Sequence, residues 1–187
     1  MVMDEAAPSP WFPCWRLAFH APIESPKEIA MHLNEVVNEG CWCLLGSGAV
    51  ASERQLWAAW SGVRQNQQNG SMKARSVEVE FIRILAGTHN IALAFNRVGL
   101  QEEDEEAWLA FIPDYATIQG DDHALPILDW KELEYEASRL ANSVSSAIVA
   151  RRPSIDLLDG ERMGFDTSSM ISELTLLSSI SNSESTS

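Results

Sequence analysis

The sequence predicts an α+β fold: a single compact domain in which a small mixed or antiparallel β-sheet packs with several α-helices. Three observations predict it. The chain has 187 residues and 45% hydrophobic content, enough for one sizeable core, since single domains run to roughly 100–200 residues. The short runs WRLAFHA, CWCLL and AWLAFI read as strands, and longer stretches between them carry helical periodicity. No run of about 18 uncharged apolar residues occurs, so no membrane span is expected.

Met1 to Pro10 are acidic and Pro-containing, with too little apolar content to order themselves, and are expected to form a disordered tail. Leu17 and Phe19 alternate with smaller neighbours in a strand that Pro22 ends. Ser25 and Pro26 suit the cap and first turn of a helix, with Ile29, Leu33, Val36 and Val37 on one face and Gly40 as its stop. Cys41 to Leu45 form a buried strand between glycines. Ser52 and Gln55 have capping-box spacing before a helix that packs through Leu56, Trp57, Trp60 and Val63 and is released near Gly70.

Val77, Phe81, Ile84 and Leu85 favour a helix over Ser76 to Ala86, although Val77, Val79 and Phe81 also alternate as a strand would. Thr88 or Asn90 can cap the next helix, lined by Ile91, Ala94, Phe95 and Val98 and ending at Gly99. After the acidic loop QEEDEE, Trp108 to Ile112 form a central strand stopped by Pro113. Asp129 caps a long helix whose stripe of Leu133, Ala137, Leu140, Ala141, Val144, Ala147 and Ile148 continues to Arg151 and Arg152 before Pro153. The domain is thus placed at 11–159. The Ser-rich segment 160–187, with one apolar patch from Ile171 to Ile180, is expected to be disordered.

The net charge of −14 argues against a surface that binds nucleic acid throughout. Its distribution is uneven. Ala51 to Leu100 hold six basic residues (Arg54, Arg64, Lys73, Arg75, Arg83, Arg97) against Glu53, Glu78 and Glu80, leaving the other residues with seven basic and 24 acidic groups. A cationic island on an acidic chain is an interaction signal, although helix surfaces also differ in charge without function. Asp4 and Glu5 stand where a secretory leader would be basic, and an odd set of cysteines, Cys14, Cys41 and Cys43, suits a reducing compartment. A cytoplasmic protein without disulfides is expected, extending to the nucleus in a eukaryote.

Catalytic constellations are hard to find. Cys41 and Cys43 offer two metal ligands on one side of a strand, but no second pair follows, and His20, His32, His89 and His123 are scattered. Gly46 and Gly48 lack the Lys of a phosphate loop and the third glycine of a dinucleotide fingerprint, and GSG is not a nucleophile elbow. Asp121 and Asp122 read as solvated surface. These patterns point to a non-enzyme without cofactor or metal. The rival is a thiol- or metal-dependent enzyme using Cys41 or Cys43.

Met72-Lys73-Ala74-Arg75, followed by Glu80, Ile82, Asn90-Ile91, Ala94 and Arg97-Val98-Gly99, resembles the kinase-binding subunit of the KEOPS complex, the TPRKB-like family. Ala147-Ile148, Arg151, Asp156 and Leu157 are a weaker match to that family's C-terminal helix and exit. The resemblance extends over most of Trp15 to Leu158, with the Ser-rich tail and the short 113–128 segment departing from it. It implies a non-catalytic accessory subunit that binds and activates a small atypical kinase-like ATPase. It also implies help in holding the 3′ end of tRNA while a transferase subunit, contacted indirectly, installs threonylcarbamoyl on the adenosine beside the anticodon. Lys73 and Arg75, with Arg64 and Arg83 as neighbours, are then the candidate RNA contacts, the alternative being caps or ion pairs with Glu78 and Glu80. For the kinase partner, Leu140, Val144 and Ile148 of the long helix are the candidates, with Ile91 beside them, although each also suits plain core. A protein-only adaptor without RNA contact is the remaining reading.

Overall fold

Strands with apolar residues on both faces need cover on both faces, and the chain supplies it. The computed structural model describes residues 11–50, 52–114, 116–118, 121–124 and 126–150. The order is β1 (Cys14–Phe19), α1 (Pro26–Val36), β2 (Trp42–Gly46), a 3₁₀ turn at Ser47–Ala49, α2 (Glu53–Asn69), α3 (Val77–Leu85), α4 (Ile91–Val98), β3 (Glu106–Phe111), β4 (Ala116–Ile118), β5 (Asp121–Ala124), α5 (Trp130–Ser143) and β6 (Ser146–Ala150). The main sheet has the order β2-β3-β1-β6, and every neighbouring pair in it is antiparallel. The expected tails 1–10 and 160–187, together with Arg151, Asp156 and Leu157, lie outside the described residues.

The period-2 geometry of the strands sends alternate residues to two separate cores. On one face Cys14, Cys43, Leu45, Trp108 and Ala110 meet Leu56, Trp60 and Val63 of α2, Phe81, Ile84 and Leu85 of α3, and Ala94 and Val98 of α4. On the other, Trp15, Leu17, Trp42, Leu44, Ala107 and Leu109 meet Leu33 of α1 and Ala137, Leu140 and Ala141 of α5. Buried indoles find acceptors: Trp60 Nε1 donates to the Pro113 carbonyl at 2.6 Å and Trp108 Nε1 to that of Ser47 at 3.2 Å. Such partners offset the cost of burying an N–H.

Helix ends follow local chemistry. The Ser52 hydroxyl accepts from the Gln55 amide, the Asn90 side chain accepts from Leu93 N, and the Asp129 carboxylate accepts from Lys131 N and Glu132 N. Gly70 closes α2 in the left-handed region at φ 65°, as a helix-terminal glycine does. α3 forms as a helix, and its strand-like alternation does not prevail. α1 ends at Val36, short of the expected stop at Gly40. Gly40 has φ +79°, and a Cβ there would lie 2.5 Å from Phe111 Cε2.

Two expectations require correction. The 113–128 segment contains the β4–β5 hairpin, which its sequence did not announce. The long C-terminal helix stops at Ser143: Val144 caps it, Ser145 turns at φ 55°, and Ser146 to Ala150 run back as an edge strand paired with β1, Leu17 opposite Ile148. Val144, Ala147 and Ile148 fit the helical stripe by spacing, but the open edge of β1 offers backbone hydrogen bonds that outweigh a weak helical preference.

Val144 is buried against the α5 core. Val144→Arg is therefore expected to lower stability by at least ~3 kcal/mol through an unpaired buried charge, seen as a drop in urea midpoint. A midpoint near wild type would show that the side chain escapes to solvent.

Candidate functional site

The 71–76 loop begins where Gly70 releases α2, and Ser71 N immediately donates to the Asn66 carbonyl at 2.8 Å. Its next backbone donors are satisfied by one side chain. Glu80, in the first turns of α3, has 0% exposure. Its Oε2 accepts from Lys73 N at 3.2 Å, Ala74 N at 2.9 Å and Arg83 Nε at 3.0 Å. Its Oε1 accepts from Asn66 Nδ2 at 2.9 Å and Arg83 Nη2 at 2.6 Å. Ala74 is tucked inward, while Lys73 and Arg75 on either side are exposed.

Arg83, 1% exposed, carries the network onward. Its Nη1 donates to the Thr88 carbonyl at 3.2 Å and lies 3.2 Å from His89 Nδ1, in the turn that precedes α4. Burial pushes the Glu80 carboxyl up. Against this, hydrogen bonds from Arg83, the Ala74 amide and Asn66, together with the Arg83 charge, hold it below the usual carboxylate range.

Arg64 and Arg83 therefore do not belong with Lys73 and Arg75 on a surface island, and this corrects the sequence expectation for both. Arg64 is 3% exposed. Its guanidinium donates to the carbonyls of Ile112 and Pro113 and to Gln67 Oε1, and pairs with Asp114 at 3.0 Å. It clamps the exit of β3. A planar fork of donors suits such carbonyl acceptors, and a guanidinium so engaged is not available to phosphate.

The candidate partner residues also separate. Leu140 and Val144 are buried under the sheet, so neither is a contact surface, and Ile148 is a half-buried residue of the edge strand β6. Ile91 is exposed, and the helix that carries it is the most apolar surface element. Ile91, Leu93 and Phe95 are 39%, 38% and 39% exposed, three of the eight large exposed hydrophobics among the described residues. Ala94 and Val98 of α4 face the core instead. Leu93 and Phe95 were not singled out as contacts from sequence, although IALAF, apolar on every side, was the available signal.

The thiols sit elsewhere. A cleft of about 570 Å³ is lined by Cys41, Glu78, Arg64 and Asp114 among others, and Cys41 Sγ donates to Glu78 Oε2 at 3.3 Å. Burial, then the Glu78 charge, pushes the Cys41 thiol up to about 12, and burial raises Cys14 and Cys43 as well. A nucleophilic cysteine needs the opposite shift. Among the described residues no group of three His, Cys, Asp or Glu could hold a metal ion.

A carboxyl held below its ordinary value contributes stability that is present above the unfolded value and lost as pH falls through the folded one. Glu80 should therefore stay ionised in the folded protein below pH 4.5, its stabilising contribution declining from that pH downward until the folded carboxyl itself is protonated. Carbon-13 NMR of the carboxyl during acid titration checks this; a midpoint at or above 4.5 contradicts it.

Comparison with individual curated proteins gives no match. The family model described as kinase binding protein CGI-121 matches residues 22–142, a span that runs from before α1 through nearly all of α5 and includes both the Glu80 loop and the exposed face of α4. By that match over more than half of its length, the chain belongs to the CGI-121 family of kinase-binding proteins.

Proposed function

We propose that this protein is a non-catalytic accessory subunit of a KEOPS-type tRNA-modifying assembly. In this reading it docks a small atypical kinase-like ATPase on the outer face of α4, activates it, and helps hold the 3′ end of tRNA through Lys73 and Arg75. The observation that carries the reading is the set of exposed large apolar side chains on α4, Ile91, Leu93 and Phe95, on a chain of a kinase-binding family. Ile91 and Phe95, four residues apart, lie side by side on this eight-residue helix, with Leu93 exposed on another side of it, and exposed apolar groups of this size mark protein contacts. The transferase subunit of the assembly is then reached through the ATPase.

The RNA part has a narrower footing. With Arg64 and Arg83 spent on internal partners, Lys73 and Arg75 remain as the exposed cations of the loop, and the resemblance to the KEOPS subunit supplies the ligand. Two phosphate contacts give weak, salt-sensitive binding by themselves, so recruitment would depend on the assembled complex.

Two experiments test the two parts separately. An Ile91→Asp, Phe95→Asp protein should remain folded and lose affinity for the ATPase by at least ~30-fold, equivalent to about 2 kcal/mol, in titration calorimetry. Retained affinity would move the kinase site away from α4. A Lys73→Ala, Arg75→Ala protein should bind tRNA more weakly, with the slope of log affinity against log salt reduced by roughly 1–2. Unchanged affinity and slope would leave the protein-only adaptor.

A further inference from the structure

The loop that carries Lys73 and Arg75 and the helix that carries Ile91 and Phe95 are separate in sequence but meet at one buried ion pair. Glu80 and Arg83 are both on α3, and their guanidinium–carboxylate contact is bidentate, Nε to Oε2 and Nη2 to Oε1. The carboxylate is filled from both sides: Lys73 N and Ala74 N approach Oε2, and Asn66 Nδ2 approaches Oε1. Asn66 in turn belongs to the last turn of α2, whose carbonyl takes Ser71 N. From Arg83 the bonds run the other way. Nη1 donates to the Thr88 carbonyl, Thr88 Oγ1 accepts from Asn90 N at 3.1 Å, and Asn90 Oδ1 accepts from Leu93 N at 3.1 Å to cap α4.

We infer that the Glu80–Arg83 pair is a positioning unit, which fixes the Lys73–Arg75 loop and the start of α4 in one geometry. Neither residue touches a ligand; both are buried. Apart from each other, Asn66 Nδ2 and His89 Nδ1, their partners are backbone amides and a carbonyl of the two presenting segments, groups that carry no side-chain specificity and hold the chain. A buried, fully bonded pair is stiff because releasing either partner strands a charge, and a loop held in its bound shape loses less entropy on binding. This assignment rests on the proposed function for the identity of the ligands, but its structural half does not.

Glu80→Gln tests it. The change keeps the side-chain volume but turns one acceptor oxygen into an NH₂ group, which must face the Lys73 and Ala74 amides or the Asn66 and Arg83 donors. If that single variant does not fold, Glu80→Gln/Arg83→Gln, which leaves no unpaired buried charge, replaces it. Hydrogen exchange by NMR should show the amides of Lys73, Ala74 and Leu93 exchanging at least ~10-fold faster, with Leu109 of the central strand unchanged. Affinity for unfractionated tRNA should fall several-fold while the salt slope stays at the wild-type value, because the phosphate-contacting cations are still present but no longer held. That unchanged slope separates positioning from contact. A folded variant with wild-type exchange at all three amides, or with a reduced slope, overturns the inference. Should the wild-type protein fail to bind tRNA at all, the RNA reading falls and the exchange ratios alone decide the positioning role.

Discussion

A four-stranded antiparallel sheet with helices against both faces leaves β2 and the middle of β3 no polar side, and much of the fold follows from that. CWCLL and AWLAF are apolar throughout because Leu44 and Leu45, like Trp108 and Leu109, must enter opposite cores. Aromatic rings join these largely aliphatic cores: Trp15 lies 5.6 Å from Trp42, which lies 5.0 Å from Phe111, and Trp57 meets both Phe12 and Trp60 edge-on. Geometries of this kind add modestly to the much larger gain from removing the rings from water. They also tie α2 to Phe12 ahead of β1 and the start of β2 to the end of β3.

Charged residues can enter such a body only where donors and acceptors are matched in full, since an unpaired buried charge is worth several kcal/mol of destabilisation. The chain admits Arg64, Glu80 and Arg83 on those terms. Arg64 satisfies the Ile112 carbonyl and shares that of Pro113 with Trp60, at the point where Pro113 ends the strand. Glu80 does the reciprocal service for amides of the 71–76 loop. In both cases an ion replaces missing secondary structure: a segment with neither ladder nor helix to join has its backbone groups satisfied by a side chain.

This explains how much was legible in the sequence. α2, α3, α4 and the first three strands were readable because hydrophobic period, capping residues and terminal glycines agreed. Ser52, Asn90 and Gly70 occupy the positions that their chemistry suggested. β6 was not readable: its Ala147 and Ile148 continue the α5 stripe by spacing, and only the vacancy beside β1, a long-range fact, selects the strand. The β4–β5 hairpin is similarly short and polar, with Asp121 and Asp122 in a strand. Burial of charge was the larger blind spot. A count of Lys and Arg treats every cation as surface, and Arg64 and Arg83 sit in α2 and α3, where periodicity could have placed them on the inner side.

The Met72 to Gly99 pattern can now be divided by physical role. Glu80 and Arg83 are invested in architecture, Ala74 packs inward, Asn90 caps, and Gly99 keeps the Phe95 carbonyl free of a Cβ that would lie 2.7 Å away. Lys73, Arg75, Ile91, Leu93 and Phe95 face solvent with a cation or a large apolar group, beside the exposed His89, Ala92 and Asn96. A stretch in which most positions serve to hold the others still suits the proposed contacts, because two cations and three apolar groups would leave little free energy to spend on ordering. The motif thus mixes residues that hold the scaffold with the exposed Lys73, Arg75 and Ile91, on which the proposed contacts rest.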